Sequence, residues 1–348
     1  MKRNLFLIGL ALIMTLISCS GKGTNTIKFD PESDFEVRAI DGGNGVEITK
    51  YIGDKWDINI PLKIRDLPVT FIGNSSFRNK SIISVVIPNS VTKIGENAFR
   101  ENQLTTIIIP NSVTNIGNNT FRENQLTNIT ISNSVTNIGD YAFQNNKLTD
   151  VIIPDSVTYI GQEAFSNNQL INVSISSNIK EIKYGVFANN QITNIIIPNS
   201  VTRIAERAFS KNQLTNVIIP DSVTDLSGFD NNQLINIIIP NSVTRIGDWA
   251  FTSNKLISVT IPNRVNYIGD GAFAEIDSLN RVICLATKPP TLVDQRNFAI
   301  VSGMRYVILP NIRIEVPIGS VNEYISANNW RVYRNRIIGL SDNNKNVQ

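Results

Sequence analysis

The chain holds two cysteines, 29 carboxylates and no histidine, and that inventory limits its chemistry. Without histidine, a Ser-His-Asp or Cys-His relay cannot be assembled and the commonest metal ligand is missing. No phosphate-cradling glycine loop follows a strand. Two carboxylates alone suffice for glycoside hydrolysis. The acidic residues of the repeating part, such as Glu101, Glu123 and Asp150, are however scattered and read as surface groups. Cys284 lies between Ile283 and Leu285 in an apolar run with no basic neighbour to lower its pKa, so it reads as a buried, inert thiol. The expectation is no enzyme, no cofactor and no metal.

What recurs instead is amide and hydroxyl chemistry. Asn102, Asn124, Asn146, Asn168, Asn190, Asn212, Asn232 and Asn254 occupy one position, each three residues after a phenylalanine. Asn donates and accepts at once. Such a row offers either a polar binding track or an internal ladder for backbone groups freed at a turn, and the ladder is the expected reading. A threonine row, Thr92, Thr114, Thr136, Thr158, Thr202, Thr224 and Thr244, invites comparison with ice binding. Lys180 and Asn266 break it, and threonine suits strands anyway.

These rows exist because the chain repeats. Phe77, Phe99, Phe121, Phe143, Phe165, Phe187, Phe209, Phe229, Phe251 and Phe273 step by 22 residues, except for one step of 20 between Phe209 and Phe229. A fixed period of this length denotes a solenoid, in which each unit is one coil stacked on its neighbours. In the unit from Leu104, the β-branched run to Ile109 ends at Pro110, which cannot donate to a ladder. Asn111-Ser112 turns the chain, Val113–Ile116 is a second short extended piece, and Gly117 is expected to permit the next bend. Leu104, Ile107, Ile109, Val113, Ile116 and Phe121 then point inward. A single coil cannot offset the entropy of ordering its own backbone, so only stacking makes the array fold.

Two outward rows of the first strand are the candidate binding surface. One is Ser84, Thr106, Asn128, Asp150, Asn172, Asn194, Asn216, Asn236 and Ser258. Its neighbour is Val86, Ile108, Thr130, Ile152, Ser174, Ile196, Ile218, Ile238 and Thr260. In an open horseshoe this face is concave. An exposed apolar stripe beside a polar one suits a protein partner, and the absence of aromatics argues against sugar stacking. The same residues also fit strand support along the sheet, or a face covered by another copy of the chain.

The ends differ from the repeat. Lys2 and Arg3 precede an apolar run from Leu5 to Ile17, long enough for a signal-peptide core and short of a bilayer span. Leu16-Ile17-Ser18-Cys19 resembles a bacterial lipobox, which implies cleavage after Ser18 and acylation of Cys19. Losing Lys2 and Arg3 lowers the net charge from +3 to +1 (3 − 2). Charges are mixed along the remainder, so there is no electrostatic footprint for nucleic acid. Phe35–Ile40 and Val46–Ile52 flank Asp41-Gly-Gly-Asn-Gly45 as a β-hairpin would. Ser177–Lys183 and Leu226–Phe229 depart from the pattern and are expected to change the local curvature. From about Ile276 the repeat dissolves. Ile312–Pro317 reads as one more strand, and Ser320-Val-Asn-Glu323 as a capping box before a short helix.

The motif LTxIxIPxSVTxIGxxAF, matched over about residues 61–283, resembles the leucine-rich repeats of BspA-like (Treponema-type) bacterial surface proteins. The run from Cys284-Leu-Ala-Thr-Lys-Pro-Pro290 to Val316-Pro-Ile-Gly-Ser-Val321 and Trp330 resembles that family's terminal segment. The family's unit is usually one residue longer between Phe and Leu, a spacing kept here only from Phe273 to Leu279. The resemblance implies surface display and adhesion to host proteins or other cells, and supplies no catalytic residue.

The expected architecture is mainly β: a right-handed leucine-rich-repeat solenoid of about ten 22-residue coils with a parallel sheet. It divides into a lipoprotein signal peptide (1–18), a lipidated tether (19–26), an N-terminal β cap (27–60), the solenoid (61–283), a C-terminal cap with a short helix (284–340) and a disordered tail (341–348). The expected partners are extracellular or host proteins, with the membrane engaged through the lipid alone. The expected location is the bacterial envelope, exposed at the surface or on the outer membrane. Self-association in the envelope is the rival reading.

Overall fold

The computed structural model describes residues 28–40, 42–302 and 305–340. The expected leader, tether and Cys19, and the expected tail, lie outside the described residues.

Each coil has two extended pieces that stack in parallel on the same pieces of the next coil. The first forms three-residue strands such as Thr106–Ile108 on Asn128–Thr130, and Asp150–Ile152 on Asn172–Ser174. The second forms two-residue strands such as Lys93–Ile94, Asn115–Ile116 and Asn137–Ile138. The sequence suggests that the longer first run carries the sheet. The structure gives the longer unbroken ladders to the second run, in an eight-stranded and a six-stranded sheet.

The glycines explain why the second column stacks so closely. Gly117 does not adopt a positive φ, contrary to its expected role at a bend. A Cβ on it would lie 2.7 Å from the Gly95 carbonyl carbon and 2.8 Å from the Glu96 nitrogen. The glycine therefore permits close approach of the preceding coil's backbone. The bend that follows is made at two left-handed positions flanking each phenylalanine. Asn119 and Glu123 around Phe121 have φ of 54° and 59°, and Tyr141 and Asn145 around Phe143 have 58° and 57°. The helical or 3₁₀ turn expected before Phe121 is instead a pair of linked turns.

The core is one column of buried side chains. From Phe77 to Phe298, successive rings lie 4.9–6.0 Å apart and within 21° of parallel. The ends close it with other aromatics. Tyr51 stacks on Phe77 at 5.5 Å, and Trp330 tilts against Phe298 at 6.2 Å.

The caps are continuous with the coils. Phe35–Ala39 and Val46–Tyr51 form the hairpin read from the sequence, and its second strand pairs in parallel with Leu67–Ile72. At the other end Arg281–Cys284, Arg313–Pro317 and Ile337–Leu340 extend the first column, and Thr291–Leu292 extends the second. The coil geometry thus outlasts the sequence pattern that fades near Ile276. The helix Val321–Ser326 starts where the capping box places it, although the Ser320 side chain makes no capping bond. It is held by Tyr324, whose hydroxyl donates to the Ala286 carbonyl at 2.9 Å, while Trp330 Nε1 donates to the Pro290 carbonyl at 2.8 Å.

Candidate functional site

The asparagine row lies inside the molecule. Asn124 Nδ2 donates to the carbonyls of Phe99 at 2.9 Å and Phe121 at 3.1 Å, while Oδ1 accepts from the Leu104 N–H at 3.1 Å. Asn146, Asn168, Asn190 and Asn212 repeat this geometry one coil at a time. Asn102, Asn232 and Asn254 do likewise. Each buried side chain ties two coils together and has no group left for a ligand. The threonine row is tied in a similar way, with Thr92 Oγ1 on the Thr70 carbonyl and Thr136 Oγ1 on that of Thr114.

The outward rows of the first strand are open to solvent. Alternation buries Ile107 and exposes Thr106 and Ile108. Asn128, Asn172, Asn194, Asn216 and Asn236 are exposed, and Asp150 is half-buried. Asn172 Nδ2 donates to Asp150 Oδ1 at 2.6 Å. In the apolar row Val86, Ile108 and Ile152 are exposed at 42, 58 and 63 %, and Thr130 is half-buried. Exposure then reaches 86, 78 and 81 % at Ile196, Ile218 and Ile238, which sit side by side in parallel register.

A third apolar row escaped the sequence reading. Ile83, Ile171, Ile235 and Ile257 occupy the slot after the inward leucine (Ile82 in the first coil) and are also exposed. The signal was available, because the period places them beside Thr105. Of these, Ile235 and Ile257 add to Ile196, Ile218 and Ile238 on the C-terminal half of this face, where exposure of the neighbouring row is also highest.

The outward row of the second column was also missed. Glu181, Arg203, Asp225 and Arg245 alternate in sign. Arg203 pairs with Glu181 and, at 3.1 Å, with Asp225. Arg245 lies 3.7 Å from Asp225 and 3.8 Å from the Tyr267 ring centre. These charges neutralise one another, so the row offers no field to a charged partner, and such exposed pairs stabilise little. Cys284 is fully buried, and burial pushes its thiol pKa up, which leaves it unreactive. Among the described residues no group of three or more acidic or sulfur ligands could hold a metal ion, and no helix is long and apolar enough to cross a membrane.

The model of the BspA-type leucine-rich repeat region matches in six copies, over residues 70–193 and 180–289. Among solved structures the chain is similar to a leucine-rich repeat protein from Bacteroides ovatus. That pair shares 25% identity over 81% of this chain and 77% of the other, with a TM-score of 0.68. The pneumococcal vaccine antigen PcpA shares the fold at 17% identity, over 88% of this chain and 96% of its own, with a TM-score of 0.57. No curated protein matches the chain in sequence.

Proposed function

Because this chain belongs to the BspA-type leucine-rich repeat family, we propose that it is a surface recognition protein that binds another protein through the outward face of its first strand column. It is a binding module and not a catalyst. The observation that carries this reading is the run of Ile196, Ile218 and Ile238, exposed at 86, 78 and 81 % on adjacent coils. Uncovered apolar area of this kind rarely persists on a protein that meets only water. The flanking Asn194, Asn216 and Asn236 supply adaptable donors and acceptors at its edge. Lipid on Cys19 would hold the protein to the bacterial envelope, with host or other cell-surface proteins as partners.

The test is binding of the chain to a panel of extracellular-matrix and serum proteins, beside an Ile196→Glu, Ile218→Glu, Ile238→Glu variant. These side chains stabilise the fold little, so the variant should melt within a few degrees of the parent. It should lose saturable binding by about tenfold or more, as expected for charges placed in an apolar contact. Equal binding by both proteins would remove this face from consideration. Absence of binding together with a mass that grows with concentration would point to a second copy as the occupant.

A further inference from the structure

One coil lacks two residues, and what its neighbours lose identifies the missing part. In the regular coils the residue two before each phenylalanine donates its N–H to the next coil. Tyr141 N donates to the Gln162 carbonyl, Glu163 N to that of Tyr184, Gly185 N to that of Glu206 and Trp249 N to that of Asp270. Each acceptor carbonyl belongs to the residue just after the close-approach glycine slot, and shares a peptide unit with the next donor in the series. From Asn97 to Gly185 each coil thus contributes one peptide unit, accepting from the coil before and donating to the coil after. The row ends at Asp270, because Gly271 N makes no such bond among the described residues.

The coil ending at Phe229 omits that unit. Leu226 and Ser227 keep their ladder places, since Ser227 N donates to the Ile204 carbonyl and Gly247 N to that of Leu226. Gly228 already fills the slot before the ring, where its carbonyl accepts from Phe209 N at 2.8 Å. The Arg207 N–H and the Asp248 carbonyl therefore make no such bond among the described residues. A cavity of about 370 Å³ opens at this place, lined among others by Tyr184, Glu206, Arg207, Asp230, Asp248 and Trp249.

We propose that this notch is a binding site for one peptide unit of a partner carrying a basic side chain. The ligand's carbonyl accepts from the Arg207 N–H and its N–H donates to the Asp248 carbonyl, which completes the interrupted row. Three carboxylates, on Glu206, Asp230 and Asp248, face one guanidinium, on Arg207, so the lining carries −2 (−3 + 1). That excess selects a lysine or arginine next to the bound amide. The Trp249 ring already has the Arg296 guanidinium 5.3 Å from its centre and adds no free partner. The notch lies on the turn after the second column, away from the isoleucine face, and the inference holds whether or not that face binds.

The experiment titrates the full chain with acetyl-Gly-Lys-Gly-amide, its glutamate counterpart and N-acetylglucosamine, followed by calorimetry. A second protein carries Asn-Asn inserted between Ser227 and Gly228, which restores the 22-residue step and refills the notch from within. The lysine peptide should bind about tenfold more tightly than the glutamate peptide, and the insertion should abolish binding while keeping a cooperative melt. If the insertion fails to fold, Glu206→Gln with Asp248→Asn keeps the shape and should erase the preference for lysine. Undiminished binding by a folded insertion variant, no binding of the lysine peptide, a retained preference in the double variant or tighter binding of N-acetylglucosamine would each overturn the proposal.

Discussion

The buried asparagines show how a small side chain does work that larger ones cannot. Asn146 Nδ2 faces the carbonyls of Phe121, Phe143 and Gln144, and its Oδ1 accepts from the Leu126 N–H. Asn146→Ala leaves these groups buried without partners, at a cost of about 2–4 kcal/mol, readable as a lower urea midpoint. Asn146→Asp keeps the acceptor for Leu126 but turns a carboxylate toward three carbonyl oxygens. Its carboxyl would have a raised pKa in the folded state, so its deficit should exceed that of the alanine variant at neutral pH and shrink on acidification. Equal deficits at every pH would argue against the donor role of Nδ2. The row was legible in the sequence because its residue type is invariant along the chain. The left-handed positions were not, because Asn119, Tyr141, Glu163, Arg207 and Trp249 share one conformation at φ of 50–58° and only the first of these is a type suited to it.

At the scale of the element, the C-terminal cap departs most from its sequence reading. Its strands carry on the first column although the spacing between them lengthens, so a search for a constant period loses them while the backbone does not. The ring slot is kept by Phe298, which stacks on Phe273 at 6.0 Å. One buried carboxylate fastens this part. Glu315 is 1% exposed and accepts both Nε and Nη2 of Arg281 at 2.9 Å, with Arg313 Nε at 3.0 Å. The bonds from Arg281 hold its carboxyl below the ordinary value, against the upward pull of burial. Its folded pKa is thus depressed, so the stability it contributes is present above the unfolded carboxyl pKa of about 4.3 and is lost as pH falls through the folded value. Fluorescence of Trp330, buried in the same cap, should report weakening as pH falls below the unfolded carboxyl value. Arg281→Met should cost about 2 kcal/mol at neutral pH, with Arg313 still in place, and should flatten that acid dependence. An unchanged pH profile in the variant would mean that other carboxylates govern it.

For the whole molecule, the question is whether such an array melts as one body. Its stability is a sum over coils and the interfaces between them, so a weak interface sets where it divides. The sequence marks that place, because Ser177–Lys183 loses both the Val-Thr pair and the glycine. Thr158 N bonds the Thr136 carbonyl and Thr202 N that of Lys180, but the matching bond from Lys180 to Thr158 is missing. So is the bond from Lys183 N to the Ile160 carbonyl, although Gly161 N and Ala205 N keep their equivalents. The second-column ladder accordingly ends at Tyr159–Ile160 and restarts at Glu181–Ile182. Across this break the halves are held by the rings of Phe165 and Phe187, 5.8 Å apart, and by the asparagine ladder. They are also held by turn bonds such as Glu163 N to the Tyr184 carbonyl and Phe165 N to that of Val186, and by Asp155, which accepts from Ser177 N and from Asn178 Nδ2. Phe187→Ala removes the ring at the join and should cost about 3–5 kcal/mol. The loss falls on the interface that is already short of hydrogen bonds, so urea unfolding should separate into two transitions. Phe121→Ala removes the same ring from an intact stretch of ladder and should lower the midpoint while leaving a single transition. If both variants unfold in one step, coupling through the core outweighs the broken ladder, and the array behaves as a single cooperative unit despite its repeat architecture.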